Sequence, residues 1–127
     1  KNYISTRHSD GDMYPPNLSQ FKDFIGNLRE YTQMLEIRND GELISAGVVD
    51  YLEDGLSAIY SYYSTESKHK YRSLGTFSIL SQINLAKEMG LSYLYLGYWI
   101  KNSPKMAYKS NYRPLEILKD RQWVLLD

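Results

Sequence analysis

The side chains best suited to chemistry lie in the last third of the chain. Lys101, Lys105, Lys109 and Arg113 recur every four residues, and Tyr98, Trp99, Tyr108 and Tyr112 sit among them. No Asp or Glu occurs between Tyr98 and Arg113, although the whole chain balances 15 basic against 15 acidic side chains. A local cationic, aromatic stretch on a neutral protein fits a polyanion with exposed bases, such as a single-stranded RNA end. Lysines neutralise phosphates there, and rings stack on unpaired bases. The plainer alternative is a solvated basic face over packed tyrosines. Lys105, Tyr108 and Lys109 are the preferred contacts. Tyr98 and Trp99 end a strand-like run and serve equally well as core.

A second candidate is Arg72-Ser73-Leu74-Gly75-Thr76, where a loop feeds a helix. Free backbone N–H groups and the positive end of the dipole attract anions at such a place. Gly75 permits close approach and Arg72 adds a charged fork. The alternative is an ordinary helix start with a solvated arginine. Asp50 closes a Val-Val run in a strand, as a carboxylate facing a cleft or merely a solvated strand end. His8 is one of two histidines and can exchange a proton near neutrality. The other, His69, falls in the polar Ser64–Tyr71 segment and reads as solvated. With two distant histidines and no cysteine, no metal constellation is visible, and no Gly-x-Ser-x-Gly elbow is present.

These residues need elements to hold them. Asn17 precedes Leu18, Phe21, Ile25 and Leu28 on one helical face, and Gln20 three residues on completes a capping-box pattern, so a helix is expected from Leu18 to Glu30. Strand grammar follows: Gln33 to Arg38, an Asn39-Asp40-Gly41 turn, Glu42 to Leu52, an Asp54-Gly55 turn, and Leu56 to Tyr63. The period then changes. Phe77, Leu80, Ile83, Ala86 and Met89 mark a helix from Leu74, closed by Gly90. Ser92 to Trp99 reads as a strand, Ser103-Pro104 as the start of a short helix through Lys109, and Gln122 to Leu126 as a terminal strand. The result is a mixed α+β (α/β) domain: an antiparallel meander followed by a β-α-β crossover.

The length allows one compact domain with a real core. No run approaches a membrane span and no signal-peptide pattern opens the chain, so no membrane partner is expected. Lys1-Asn2-Tyr3-Ile4 lacks an initiator Met and an N-cap, and reads as the cut edge of a domain.

Several blocks carry a resemblance: Arg7-His8-Ser9-Asp10-Gly11-Asp12-Met13, Val48-Val49-Asp50, Arg72-Ser73-Leu74-Gly75-Thr76, Leu96-Gly97-Tyr98-Trp99-Ile100, Lys105-Met106-Ala107-Tyr108-Lys109 and Arg113-Pro114-Leu115-Glu116. Together, and in this order over nearly the whole chain, they resemble the C-terminal domain of the aminoacyl-tRNA–protein transferases. The resemblance implies a GCN5-related N-acetyltransferase-like fold in residues 1–127, and a cysteine-bearing N-terminal domain that is not in this sequence. It implies a cytoplasmic enzyme without a cofactor. Such an enzyme transfers an aminoacyl group, leucine before arginine, from the 3′ end of a charged tRNA to proteins with N-terminal Asp or Glu, marking them for degradation. Arg7 and Arg72 become candidates for the acceptor carboxylate, with Ser73 and Gly75 beside them. His8 and Asp50 become candidate catalytic groups, and Tyr98, Lys105, Tyr108 and Lys109 candidate tRNA contacts. The rivals are an acetyl-coenzyme A-dependent N-acetyltransferase and a non-catalytic RNA-binding module. Against the first, the glycine pattern that grips coenzyme A has Phe77 at its last position.

Overall fold

The computed structural model describes residues 2–10, 14–27 and 29–127. Gly11, Asp12 and Met13 of the first block, together with Lys1, Leu28 and the side chain of Ile25, lie outside the described residues. The chain divides into two compact units, Lys1–Tyr95 and Leu96–Asp127.

The first unit is built on a four-stranded sheet of order β1-β2-β3-β4. β1 (Thr32–Asn39), β2 (Glu42–Tyr51) and β3 (Gly55–Tyr63) form the expected antiparallel meander. The β1–β2 turn has Asp40 and Gly41 at φ 49° and 81°, as a two-residue hairpin turn matched to strand twist demands. Ile44, Ser45, Ala46, Gly47, Val48 and Val49 of β2 are all buried. Such an unbroken run marks a central strand covered on both faces.

The helix expected from Leu74 is borne out, but the face it buries is not the one the spacing marked: Phe77, Leu80 and Met89 are about half exposed, and of the marked residues only Ala86 is buried. α3 (Leu74–Glu88) connects β3 to β4 (Tyr93–Tyr95), and β3 pairs with β4 in parallel, Leu56 opposite Leu94. Gly90, at φ 71°, follows the helix end. α3 buries Leu74, Ser78, Ile79, Gln82 and Ala86 against the sheet, with Leu56 fully enclosed. Two further helices precede the meander, α1 (Asn2–Arg7) and α2 (Leu18–Gly26). Asn17 caps α2 as expected, accepting a hydrogen bond from the Ser19 amide at 2.7 Å.

Several boundaries differ from expectation. α2 ends at Gly26 rather than Glu30; Asn27 makes the last helical bond to the Asp23 carbonyl, and its side-chain amide donates to the same oxygen. The strand expected over Ser92–Trp99 shrinks to Tyr93–Tyr95. Its partner offers only Gly55, Leu56 and Ser57, and Gly97 at φ 76° redirects the chain. His69 is not solvated: Ser67–Arg72 wind into a 3-10 turn that leaves Lys68 outside on Glu42 and turns His69 inward to 4% exposure.

In the second unit, residues 101–106 form turns and the helix is a 3-10 segment, Ala107–Asn111. The expected helix through Ser103–Lys109 is thus corrected. Ser103 does accept amide hydrogens from both Met106 and Ala107, but the turn does not propagate. β5 (Glu116–Lys119) and β6 (Gln122–Leu125) form a hairpin.

Candidate functional site

The residues read from the sequence gather in three places. The first surrounds the ring of Tyr63, at the end of β3. The guanidinium of Arg7, on α1, lies 5.6 Å from its centroid, in the range of a cation–π contact. Tyr3 packs edge-on at 4.9 Å and shares a 3.2 Å hydrogen bond with His8 Nε2. A Cβ on Gly75 would meet Tyr63 Cε1 at 3.2 Å. Gly75 is therefore explained by close packing of the first turn of α3 against this ring. Arg7, His8 and Gly75 are brought together, and Tyr63 and Tyr3 join them. Neither carried a site signal in the sequence, where Tyr63 is only the last residue of an expected strand.

Arg72 and Ser73 stand at the entrance to α3. Ser73 adopts a left-handed conformation, φ 47°, that turns the 3-10 segment into the helix, and its carbonyl accepts the first helical bond from Phe77. The first amides of α3 precede that bond, so this helix start retains the donors that favour an anion. Arg72 is exposed and holds Asn39 Oδ1 at 3.2 Å, across from the β1–β2 turn.

Asp50 occupies a different place. It is half-buried, directly opposite Thr32 on β1, whose hydroxyl donates to its Oδ1 at 2.5 Å. It lines a cleft of about 330 Å³ with Asp23, Phe24, Asn27, Arg29, Thr32, Val48 and Ile59. Tyr60 links the two places, packing ring to ring with Tyr3 and with Phe24. Burial raises the Tyr60 phenol above its ordinary range, which keeps it a neutral packing ring. His8 is hydrogen-bonded to Tyr3, and Asp50 to Thr32. Asp23, Arg29 and Thr32 carried no signal in the sequence beyond their polarity at a helix end.

The fourfold cation spacing in the second unit resolves into different roles. Lys101 and Lys105 are exposed. Lys109 donates to the Tyr98 carbonyl at 2.8 Å, and desolvation lowers its ammonium below the usual lysine value. Arg113 spans the carbonyls of Ser110, Tyr112 and Asp127, tying down the end of the chain. Tyr98 is 88% exposed and Tyr108 45% exposed, whereas Trp99 is half-buried. Within Tyr98–Arg113, Tyr98, Tyr108, Lys101 and Lys105 are exposed, without the shared helical face expected for Lys105 and Lys109.

Residues 1–119 match the family model described as arginine-tRNA-protein transferase, C terminus. The chain belongs to that family. Among its relatives, an aspartate/glutamate leucyltransferase of Pseudomonas fluorescens is 48% identical over 98% of the chain and 52% of its own length. One of Acinetobacter baumannii is 50% identical over 95% and 44%, and one of Hahella chejuensis 46% identical over 98% and 52%. The chain spans about half the length of the curated relatives it matches. By structure it is similar to the ribosomal-protein-S18-alanine N-acetyltransferase from Escherichia coli, with a TM-score of 0.54 at 18% identity over 71% of this chain and 57% of that one. The likeness shows the acetyltransferase-like fold expected from the sequence. Among the described residues, no group of three or more His, Asp or Glu is placed to hold a metal ion, and no helix is long and apolar enough to cross a membrane.

Proposed function

We propose that this chain is the transferase domain of an enzyme that moves a leucyl group from charged tRNA to the α-amine of proteins beginning with Asp or Glu. The observation that carries the reading is the family match over residues 1–119, joined to near-50% identity with proteins named as leucyltransferases. An acetyl-coenzyme A reading is not favoured. The helix start that would grip a pyrophosphate carries Phe77 where a small residue belongs, and its Gly75 is committed to packing on Tyr63.

The chemistry is ester aminolysis. The acceptor nitrogen attacks the ester carbonyl, a tetrahedral intermediate forms, the bond to the ribose oxygen breaks, and the amine proton ends on that oxygen. An α-amine titrates near pH ~8, so a modest base suffices and positioning supplies much of the rate. His8, held by the Tyr3 hydroxyl, is the base in this proposal. Arg7 and Arg72 are the cations for the acceptor carboxylate, with Ser73 and Gly75 following Arg72 at the helix start. Lys105, Lys109, Tyr98 and Tyr108 take the tRNA 3′ end. The modified protein then carries a leucine that marks it for degradation in the cytoplasm, where charged tRNA is found.

The test is transfer by the full-length protein from Leu-tRNA and Arg-tRNA to a peptide beginning with Asp. Faster transfer of leucine is expected. Arginine in its place overturns the donor assignment, and transfer of neither overturns the activity. Arg72→Ala should raise KM for the acceptor or for tRNA by about tenfold or more, the equivalent of a charge-assisted contact. Unchanged kinetics refute its role.

A further inference from the structure

The cleft beneath α2 is used by none of these steps. Its floor is Val48 of β2 and Ile59 of β3, its wall is Phe24, and its rim carries Asp23, Asn27, Arg29, Thr32 and Asp50. Two features show that it is shaped rather than incidental. The β2–β3 ladder shifts register between Val48 and Val49: Val48 pairs with Tyr60 and Val49 with Ala58, so Ile59 is the extra, unpaired residue. A bulge of this kind re-aims a side chain, and here it turns an isoleucine, 48% exposed, into the cleft. Asp50 is fixed by the hydroxyl of Thr32, its register partner, which donates to Oδ1. Arg29 is fixed too, its Nη1 donating to the Tyr31 hydroxyl at 2.6 Å and its guanidinium standing 5.7 Å from that ring's centroid.

An oriented carboxylate beside a half-exposed isoleucine, in a cleft of about 330 Å³, fits a small amine with an aliphatic side chain. We infer that this cleft holds the leucyl group of the donor, with Asp50 binding its α-amino group and Ile59, Val48 and Phe24 receiving its isobutyl chain. The inference rests on the transfer reading above. The reaction contains two amines that must be told apart. The acceptor amine has to be neutral to attack, whereas the donor amine survives as the new N-terminus and must not react. A carboxylate that keeps the donor amine charged silences it as a nucleophile. Asp50 is then a donor-binding group and not the general base. Arg29 on the same rim disfavours a guanidinium side chain through like charge, which sets leucine above arginine.

The experiment compares Leu-tRNA with N-acetyl-Leu-tRNA as donors to one Asp peptide, using the full-length protein and its Asp50→Asn variant. Acetylation removes the charge that Asp50 binds. It should lower kcat/KM of the parent by about tenfold or more and that of Asp50→Asn by less than about twofold, because coupled groups do not lose the same interaction twice. Equal losses in both proteins, or none in the parent, overturn the inference. Ile59→Ala, at a half-exposed position that tolerates truncation, supplies a second readout. The enlarged floor should raise transfer from Phe-tRNA relative to Leu-tRNA by about threefold or more, and an unchanged ratio overturns the apolar half of the pocket. A parent protein that transfers leucine from no tRNA contradicts the transfer reading itself, a result distinct from every failure named for the cleft.

Discussion

Gln82 offers a test of how the sheet holds the helix that carries the anion-attracting entrance. It lies on α3, fully buried, and faces Gly47 of β2 so closely that a Cβ there would sit 2.8 Å from its Nε2. Its amide donates to Ser78 Oγ at a long 3.3 Å, and its Oε1 has no partner among the described residues. A buried acceptor without a partner costs about 1–3 kcal/mol, and a single long hydrogen bond returns about 0.5–1.5 kcal/mol. Replacing both partners with apolar groups of similar shape removes the penalty and the bond together. Ser78→Ala with Gln82→Leu should therefore stabilise the protein by about 1 kcal/mol, less whatever the leucine loses in fit. With a urea slope of about 2 kcal/mol/M, the unfolding midpoint moves up by roughly 0.5 M. Urea unfolding followed by circular dichroism reads this directly. A fall in stability of about 1 kcal/mol or more would refute the reasoning, because it would mean that Oε1 is satisfied and the polar pair is a net asset.

Leu56→Ala should cost about 2–5 kcal/mol in the same assay, since this side chain is enclosed where β2, β3, β4 and α3 meet. Desolvation lowers Lys109, so the unfolded chain binds more protons than the folded one between the depressed and ordinary values. Stability should rise with pH through that alkaline window, and Lys109→Met should flatten the slope. Removing Lys105 and Lys109 together should lower the salt slope of tRNA binding by roughly 1–2 units, at ~0.7 per phosphate contact. Tyr108→Ala should cost ~1–3 kcal/mol at every salt concentration with little change in slope. Binding by the double lysine variant equal to the parent at all salts would reduce this stretch to a solvated face.

The elements that follow from repeating patterns were legible in the sequence. The meander came from Asn39-Asp40-Gly41 and the Ile-Val run of β2, because turn chemistry acts locally; α3 was found in the right place, but its inward face was not, since Ser78 and Gln82 face the sheet while Phe77 and Leu80 are about half exposed. The β5–β6 hairpin was half hidden. Its turn residues Asp120 and Arg121 take positive φ, 51° and 64°, without the glycine that usually announces such a turn. The site was legible by residue type and less so by grouping. Arg7, His8 and Gly75 meet only through Tyr3 and Tyr63, which share no spacing rule with them. His69 shows how tertiary structure overrides a polar neighbourhood: it is buried with its Nε2 3.9 Å from Glu42. Lys109 and Arg113 kept the expected charge but spend it partly on backbone carbonyls, and no count of charges along a sequence reveals that.

The central claim is tested most directly by the mass of a peptide beginning with Asp after incubation with the full-length protein, Leu-tRNA and acetyl-coenzyme A together. The account predicts that the peptide gains one leucyl residue on its α-amine, and that a peptide with that amine blocked gains nothing. An acetyl group in place of leucine, or an unchanged mass with both donors intact, would contradict it.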